Sequence, residues 1–227
     1  MKLPSEELHR SIISDELKDL NEEVIELVID EVADSELVDK IPIVGTLKAL
    51  YKTGHSIRDA IFLKKALYIL LELSDVPSKK RVEFINSLES RYSTGSEMIF
   101  SAIDRLESNE KSVIFGRLCK IRALDKINKK EFLELSKLIQ DAYLPDLVEF
   151  YKTDAVRNET DYSDSKFIRL GLISILLGVD QNETLKVQDD SEIGYHVTLE
   201  GIEFTTDYSD LGLTFTKVYR ELFEDDV

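Results

Sequence analysis

Three histidines, one cysteine and 45 carboxylates are the groups in this 227-residue chain from which nucleophilic, acid–base or metal chemistry could be built. His9, His55 and His196 lie far apart, and none has the H-x-x-x-H or H-E-x-x-H spacing that puts two imidazoles on one helical face. They read as surface or packed histidines. Cys119 sits between Leu118 and Ile121 on an apolar helical face, which is the setting of a small buried hydrophobe rather than a reactive thiolate. Gly45-Thr46-Leu47-Lys48 does not complete a phosphate-binding G-x-x-x-x-G-K-[ST], and no G-x-G-x-x-G occurs. Ile127-Asn128-Lys129-Lys130-Glu131-Phe132 mimics the end of a calcium loop. With Glu131 at the twelfth loop position, however, Lys120, Arg122 and Leu124 fall where oxygen ligands are needed, so the stretch reads as a helix start. The acidic runs at 161–164 and 189–192 read as solvated loops. No cofactor, metal or small-molecule substrate is indicated, and the expectation is a protein that is not an enzyme.

Any site must therefore be sought in how the elements are arranged. The chain is 43% hydrophobic and 33% charged, with 9 Gly and 4 Pro, a composition that folds. One Cys excludes a disulfide framework and fits a reducing compartment. The first residues turn acidic by Glu6 and hold no continuous apolar core of a signal peptide. The most apolar window, 61–73, is interrupted by Lys64 and Lys65 and falls short of the ~20 residues that span a bilayer. The expected location is the cytoplasm.

Periodicity predicts a mainly α protein. An amphipathic helix over 14–40 carries Leu17, Leu20, Val24, Leu27 and Val28 on one side, with Ser14 as its N-cap, and ends before Pro42. A short helix over 42–54 is followed by a central core helix over 56–73, whose apolar face is Ile57, Ile61, Leu63, Leu67, Leu70, Leu71 and Leu73. Further helices are expected at 78–91, 96–107, 110–122 and 128–142, and from Pro145 through Phe150. Short joins make residues 41–152 a multi-helix bundle. Residues 153–166 are a polar linker.

Charge divides the chain. Residues 1–40 hold 13 acidic and 4 basic groups, 41–91 hold 5 and 9, 92–152 hold 10 and 10, and 153–227 hold 17 and 6, for a net −16. Acidic ends thus flank a mildly basic stretch containing Lys48, Lys52, Arg58, Lys64, Lys65, Lys79, Lys80 and Arg81. Charge runs are usually solvated faces. The sharper expectation is that the acidic arm, 1–40, covers the basic stretch until a partner displaces it. Lys48, Lys52, Arg58, Lys64, Lys65 and, from the last third, Arg169 are then the candidate partner-binding residues.

Residues 153–227 form a third region. Leu185 and Val187 are separated from Ile193, Tyr195 and Val197 by the polar tract 188–192, which predicts a hairpin. A helix ending in Leu170-Gly171-Leu172-Ile173 precedes it. Thr198 could cap a new helix beginning at Leu199-Glu200-Gly201-Ile202. This order of helix, hairpin and Y-x-V-T-L-x-x-G-x-x-F resembles the second half of a winged-helix domain. The expected fold is a multi-helix bundle followed by a small α+β winged-helix-like C-terminal lobe. Asp189, Asp190 and Glu192 at the wing tip would repel phosphate, and Arg169 and Lys186 are nearly the only central cations, so the lobe is expected to contact protein or dimerise rather than bind DNA.

Across residues 41–205, the stretch PIVGTLKALYKTGHSIRDAIFLKK and the closing L-G-L-I and Y-x-V-T-L-x-x-G elements resemble uncharacterised bacterial proteins grouped near the alpha-type abortive-infection proteins of phage defence. The resemblance implies a bacterial or phage setting and a role linked to defence, and it transfers no catalytic residue. The functional expectation is a protein-interaction or regulatory protein with a protein partner or a second copy of itself. The alternative is a membrane-surface-active effector, in which the 42–73 helices are unmasked from the acidic arm and bind an anionic surface.

Overall fold

The structure, a computed structural model, describes residues 4–22, 25, 57–153, 165–179, 186–190, 194–198 and 202–223. The chain divides into two compact units, one of Met1–Leu144 with Val218–Val227 and one of Pro145–Lys217. The fold is mainly helical. The first unit takes in the described part of the N-terminal region, 4–22 and 25, together with the bundle, and the second unit begins at Pro145.

The first unit opens with α1 (Pro4–Ile13), a helix that sequence periodicity does not predict, and a single 3-10 turn (Asp15–Asp19). Ser14 is the N-cap expected, its hydroxyl accepting from Glu16 N at 3.2 Å. The continuous helix expected from Ser14 is not found over the described residues, because the turn ends at Leu20 in extended backbone. Of its expected apolar stripe, Leu17 and Leu20 are buried, as are Leu8 and Ile12 of α1, while Val24, Leu27 and Val28 lie outside the described residues. Residues 26–40, and the short helix expected over 42–54, lie outside the described residues.

The bundle continues with α2 (Ile57–Leu73), α3 (Ser78–Leu88), α4 (Gly95–Arg105), α5 (Asn109–Ala123) and α6 (Lys129–Asp141). Each start carries its local cause. Thr94 and Glu97 form a capping box on α4, and Asn128 and Glu131 form one on α6, so the calcium-loop mimic is indeed a helix start. Ser108 caps α5. α5 ends in a Schellman motif: Asp125, at φ 58°, donates its N–H to Arg122 O, and Lys126 N donates to Ile121 O.

α2 packs along α5, and α1 packs on α3 and α4. The α2 face that is buried is Phe62, Ala66, Leu67, Ile69, Leu70 and Leu73, while Ile61, expected inside, is about half exposed. Gly116 lets α2 and α5 approach, since a Cβ there would lie 2.9 Å from Glu72 Cβ and 3.0 Å from Ile69 Cα. Phe132 sits against Phe84 edge-on, with centroids 5.6 Å apart, and against Phe115 at 6.3 Å.

The second unit contains α7 (Leu144–Thr153) from Pro145 onward, α8 (Ser165–Arg169), four strands and the first two turns of α9 (Asp210–Phe223). The strands are β1 (Ile173–Val179), β2 (Lys186–Asp190), β3 (Gly194–Thr198) and β4 (Ile202–Tyr208). Pairing is nested: β1 lies antiparallel to β4 from Ile173↔Tyr208 to Val179↔Ile202, and β2 lies antiparallel to β3 from Lys186↔Thr198 to Asp190↔Gly194. The β2–β3 hairpin is the one expected from the sequence. The helix expected from Leu199 is corrected, because Ile202–Tyr208 is strand, paired along its whole length with β1. Alternation of apolar and polar residues in Ile202-Glu203-Phe204-Thr205 suits a strand better than a helix. Phe150 is the hub of this unit's core, 5.2 Å from Phe167, 5.6 Å from Tyr208 and 6.0 Å from Phe215 between ring centroids.

Candidate functional site

The cations singled out in the sequence fall in different settings. Lys48 and Lys52 lie outside the described residues, and Arg58 is in the first turn of α2. Lys64 is half-buried. Lys65 is buried and donates from Nζ to the carbonyl of Leu106, the C-cap of α4. A lysine held inside the bundle cannot serve a partner, so Lys65 is removed from the candidate surface. Arg169 is exposed in the last turn of α8 and belongs to the other unit.

Two further cations of the basic stretch, Arg81 and Lys80, are engaged within the same unit. Arg81 is 2% exposed, and its guanidinium fans across four backbone carbonyls: Nε to Ile12 at 2.6 Å, Nη2 to Ser14 at 2.5 Å, and Nη1 to Leu73 at 3.3 Å and to Val76. These oxygens lie at or just beyond the C-terminal ends of α1 and α2, where carbonyls have no partner in their own helix. Burial lowers the Arg81 pKa, opposed by the nearby Asp15 carboxylate. Lys80 donates to Asp125 at 2.6 Å and faces Glu83 at 3.6 Å. Among the described residues, Arg81 ties the N-terminal region to the bundle through backbone carbonyls of Ile12 and Ser14.

No candidate nucleophile gains support from its surroundings. Cys119 is fully buried, and burial pushes its thiol well above the ordinary range. His9 is half-buried on α1, His196 lies on β3, and His55 falls outside the described residues. No group of three or more His, Cys, Asp or Glu that could hold a metal occurs among the described residues. A polar cleft of about 330 Å³ is lined by Asp15, Lys18, Ser74, Asp75, Ser78 and Arg81, with both signs of charge and an already occupied guanidinium. Glu72 and Arg117, 3.4 Å apart, form a partly buried pair at the α2–α5 seam. Burial raises the Glu72 pKa, while Arg117 pulls it down. These arrangements hold helices together, and none of them presents a reacting atom.

What remains is the ribbon. Its base is firmly built. α8 closes in a second Schellman motif, with Gly171 at φ +76° donating to Ile168 O at 2.9 Å and Leu172 N donating to Phe167 O at 2.9 Å. Phe167 and Leu172, the two positions at which this motif ordinarily carries apolar residues, are both buried. Ser209 N donates to Leu172 O at 3.1 Å, and Ser209 Oγ accepts from Gly212 N at 2.9 Å, so one residue both closes the ribbon and opens α9. Leu170-Gly171-Leu172-Ile173 is thus a helix stop and a strand start together.

Beyond this base the ribbon is only two strands wide. Six residues, 180–185, separate β1 from β2, and three, 199–201, separate β3 from β4. β2 and β3 pair with each other and pack substantially on no other described element. Among the described residues no strand lies on the outer edge of β1 or of β4. Ile175 is 52% exposed in β1. Sequence reasoning missed this edge, because its β1–β4 pairing joins residues some thirty positions apart.

Against family models, curated proteins and solved structures, the chain shows no match. Among the described residues no helix is long and apolar enough to cross a membrane.

Proposed function

We propose that this chain is a non-enzymatic protein-interaction or regulatory protein, whose contact element is the β-ribbon of the second unit. The observation that carries the reading is the ribbon's two outer edges, on which no strand lies among the described residues. A two-stranded hairpin is marginal in water by itself, and open edges recruit further strands. The buried Lys65 agrees with this, since one of the cations first considered for a partner is spent inside the bundle, as is its neighbour in the basic stretch, Arg81. On this reading the unit is a winged-helix-like lobe, with β2 and β3 in the place of the wing and carboxylates at Asp189 and Asp190 that disfavour nucleic acid. The sequence resemblance to the abortive-infection group supports a bacterial or phage setting with a role in defence, and the single buried cysteine suits the cytoplasm.

A membrane-surface role for 42–73 has less behind it. Leu67, Leu70 and Leu73 are fully enclosed, so α2 would have to leave α5 before its apolar face met lipid.

The test is site-specific photo-cross-linking in the full-length protein expressed in its own cells. A photoreactive amino acid replaces Gln188 on β2, and the control replaces Lys130, exposed on α6. A discrete, identifiable protein adduct from position 188 alone is expected. No protein adduct at 188, or equal labelling at both positions, overturns the reading.

A further inference from the structure

We infer that the outer edge of β1 pairs antiparallel with β1 of a second copy of this chain, making the ribbon a homodimerisation element. The inference rests on the proposed role of the ribbon and adds the identity of its occupant. The argument is one of charge. A strand that meets its own copy antiparallel across a two-fold axis sets each residue opposite the one equally far on the other side of the axis, so a strand whose charges all have one sign opposes like to like. β1 reads Ile-Ser-Ile-Leu-Leu-Gly-Val, seven residues without a charge in a chain where one in three is charged. β4 carries Glu203 and Asp207, placed symmetrically about its middle residue Thr205, so that edge would oppose carboxylate to carboxylate. β1 is the one strand edge of the ribbon's outer pair that a copy can approach without such repulsion.

The same seven residues also lack the devices that protect an exposed edge. Open strands are ordinarily blunted by a lysine, a proline or an inward-pointing charge, and β1 has none. With Leu176 at its centre, self-pairing sets Ile175 opposite Leu177 and Ser174 opposite Gly178. The exposed Ile175 side chain would then lie beside the partner strand. Two chains of net charge −16 repel, so association should tighten as salt is added, opposite to a docking of acidic on basic surface.

The experiment uses the full chain throughout. Light scattering coupled to size exclusion is expected to give twice the 26.0 kDa chain mass for the wild type, rising in dimer fraction with salt. Ile175→Lys should return the single-chain mass with an unchanged circular dichroism spectrum. Glu203→Lys, on the other edge, should leave the dimer intact. Should Ile175→Lys fail to fold, single cysteines at 174 to 178 in a Cys119→Ser background, oxidised with copper phenanthroline, read the same edge in an otherwise native chain. Disulfide-linked dimer peaking at 176 supports the pairing. A single-chain mass for the wild type, a dimer that survives Ile175→Lys, or absence of cross-linking at all five positions overturns it. A heterologous adduct at position 188 with a monomeric wild type would overturn this inference and leave the ribbon's role as a protein-binding element standing.

Discussion

Arg81 Nε lies 2.6 Å from the carbonyl oxygen of Ile12, sixty-nine positions earlier in the chain, and this bond joins the end of α1 to the first turn of α3. The guanidinium is the right group for the place. It offers five N–H donors in one plane, so it can serve carbonyls from two helix ends at once in a fixed fork, where an ammonium offers only three donors at a single point.

Arg81→Lys should therefore destabilise the protein by about 2–4 kcal/mol, because charged hydrogen bonds are lost and buried carbonyls left bare. Urea unfolding measures the loss, and hydrogen exchange over residues 4–20 should show α1 losing protection first. Unchanged stability would show that the four carbonyls are satisfied without the guanidinium.

Lys64 and Lys65 are neighbours in sequence and opposites in setting. Lys65→Met leaves the Leu106 carbonyl unpaired and should cost about 1–3 kcal/mol, whereas Lys64→Met should change stability little. Equal effects in chemical denaturation would contradict the burial of Lys65. The contrast also separates an internal tie from a surface lysine waiting for lipid.

Two glycines should fail for different reasons. Gly171→Ala meets no obstacle, its nearest neighbour being Leu211 Cδ2 at 3.8 Å, but the left-handed backbone should cost about 1–2 kcal/mol. Gly171→Asn should recover much of that, since Asn tolerates this conformation. Gly116→Ala should lose about 1–3 kcal/mol through forced separation of α2 and α5, despite the better helix propensity of Ala. There Asn should be worse still. Thermal unfolding of the four variants checks the pattern, and rescue of position 116 by Asn would sink the close-approach argument.

Acid should act on Asp125 and Glu72 with opposite sign. The hydrogen bond from Lys80, and then that from Arg122, hold the Asp125 carboxyl below its usual range. Its stabilising contribution is thus present above the ordinary Asp value and lost as pH falls through the depressed folded one. The stability gap between wild type and Asp125→Asn should be constant near neutrality and close in strong acid. Burial raises the Glu72 pKa, so folding is favoured as pH falls through that raised value toward the ordinary one, and Glu72→Gln should lack this increment. Urea titrations at a series of pH values read both. A gap for Asp125→Asn that persisted into strong acid would show that its charge plays no part.

The bundle from α2 to α6 was legible because each helix announces itself locally. Pro77, Thr94 with Glu97, Ser108 and Asn128 with Glu131 mark the starts, and the apolar period marks the inner faces. The features that escaped were set by distant partners. Arg81 reads as one more cation in a basic run until Ile12 and Leu73 supply its acceptors. β1 and β4 lie twenty-two residues or more apart in the chain, and nothing local in Ile173-Ser174-Ile175 names Tyr208 as the end of its ladder. Lys65 has a surface side chain by type and an interior position by packing. The runs on either side of the polar tract 188–192 located the β2–β3 hairpin, but the segment after it reads as a helix, because Thr198 and Leu199 have the chemistry of a cap until the strand that Ile202 begins is paired with β1.

Cys119 has a consequence of another kind. It is the chain's single cysteine, sealed within α5 where no thiol reagent reaches it while the helices stay together. The protein therefore carries its own clock for breathing motions. Alkylation of native protein can proceed only through openings that expose this sulfur, so its rate reports their frequency without an added label. Whole-chain mass spectrometry would count molecules that have opened once, and a partner that steadies the bundle would be seen as a slower clock.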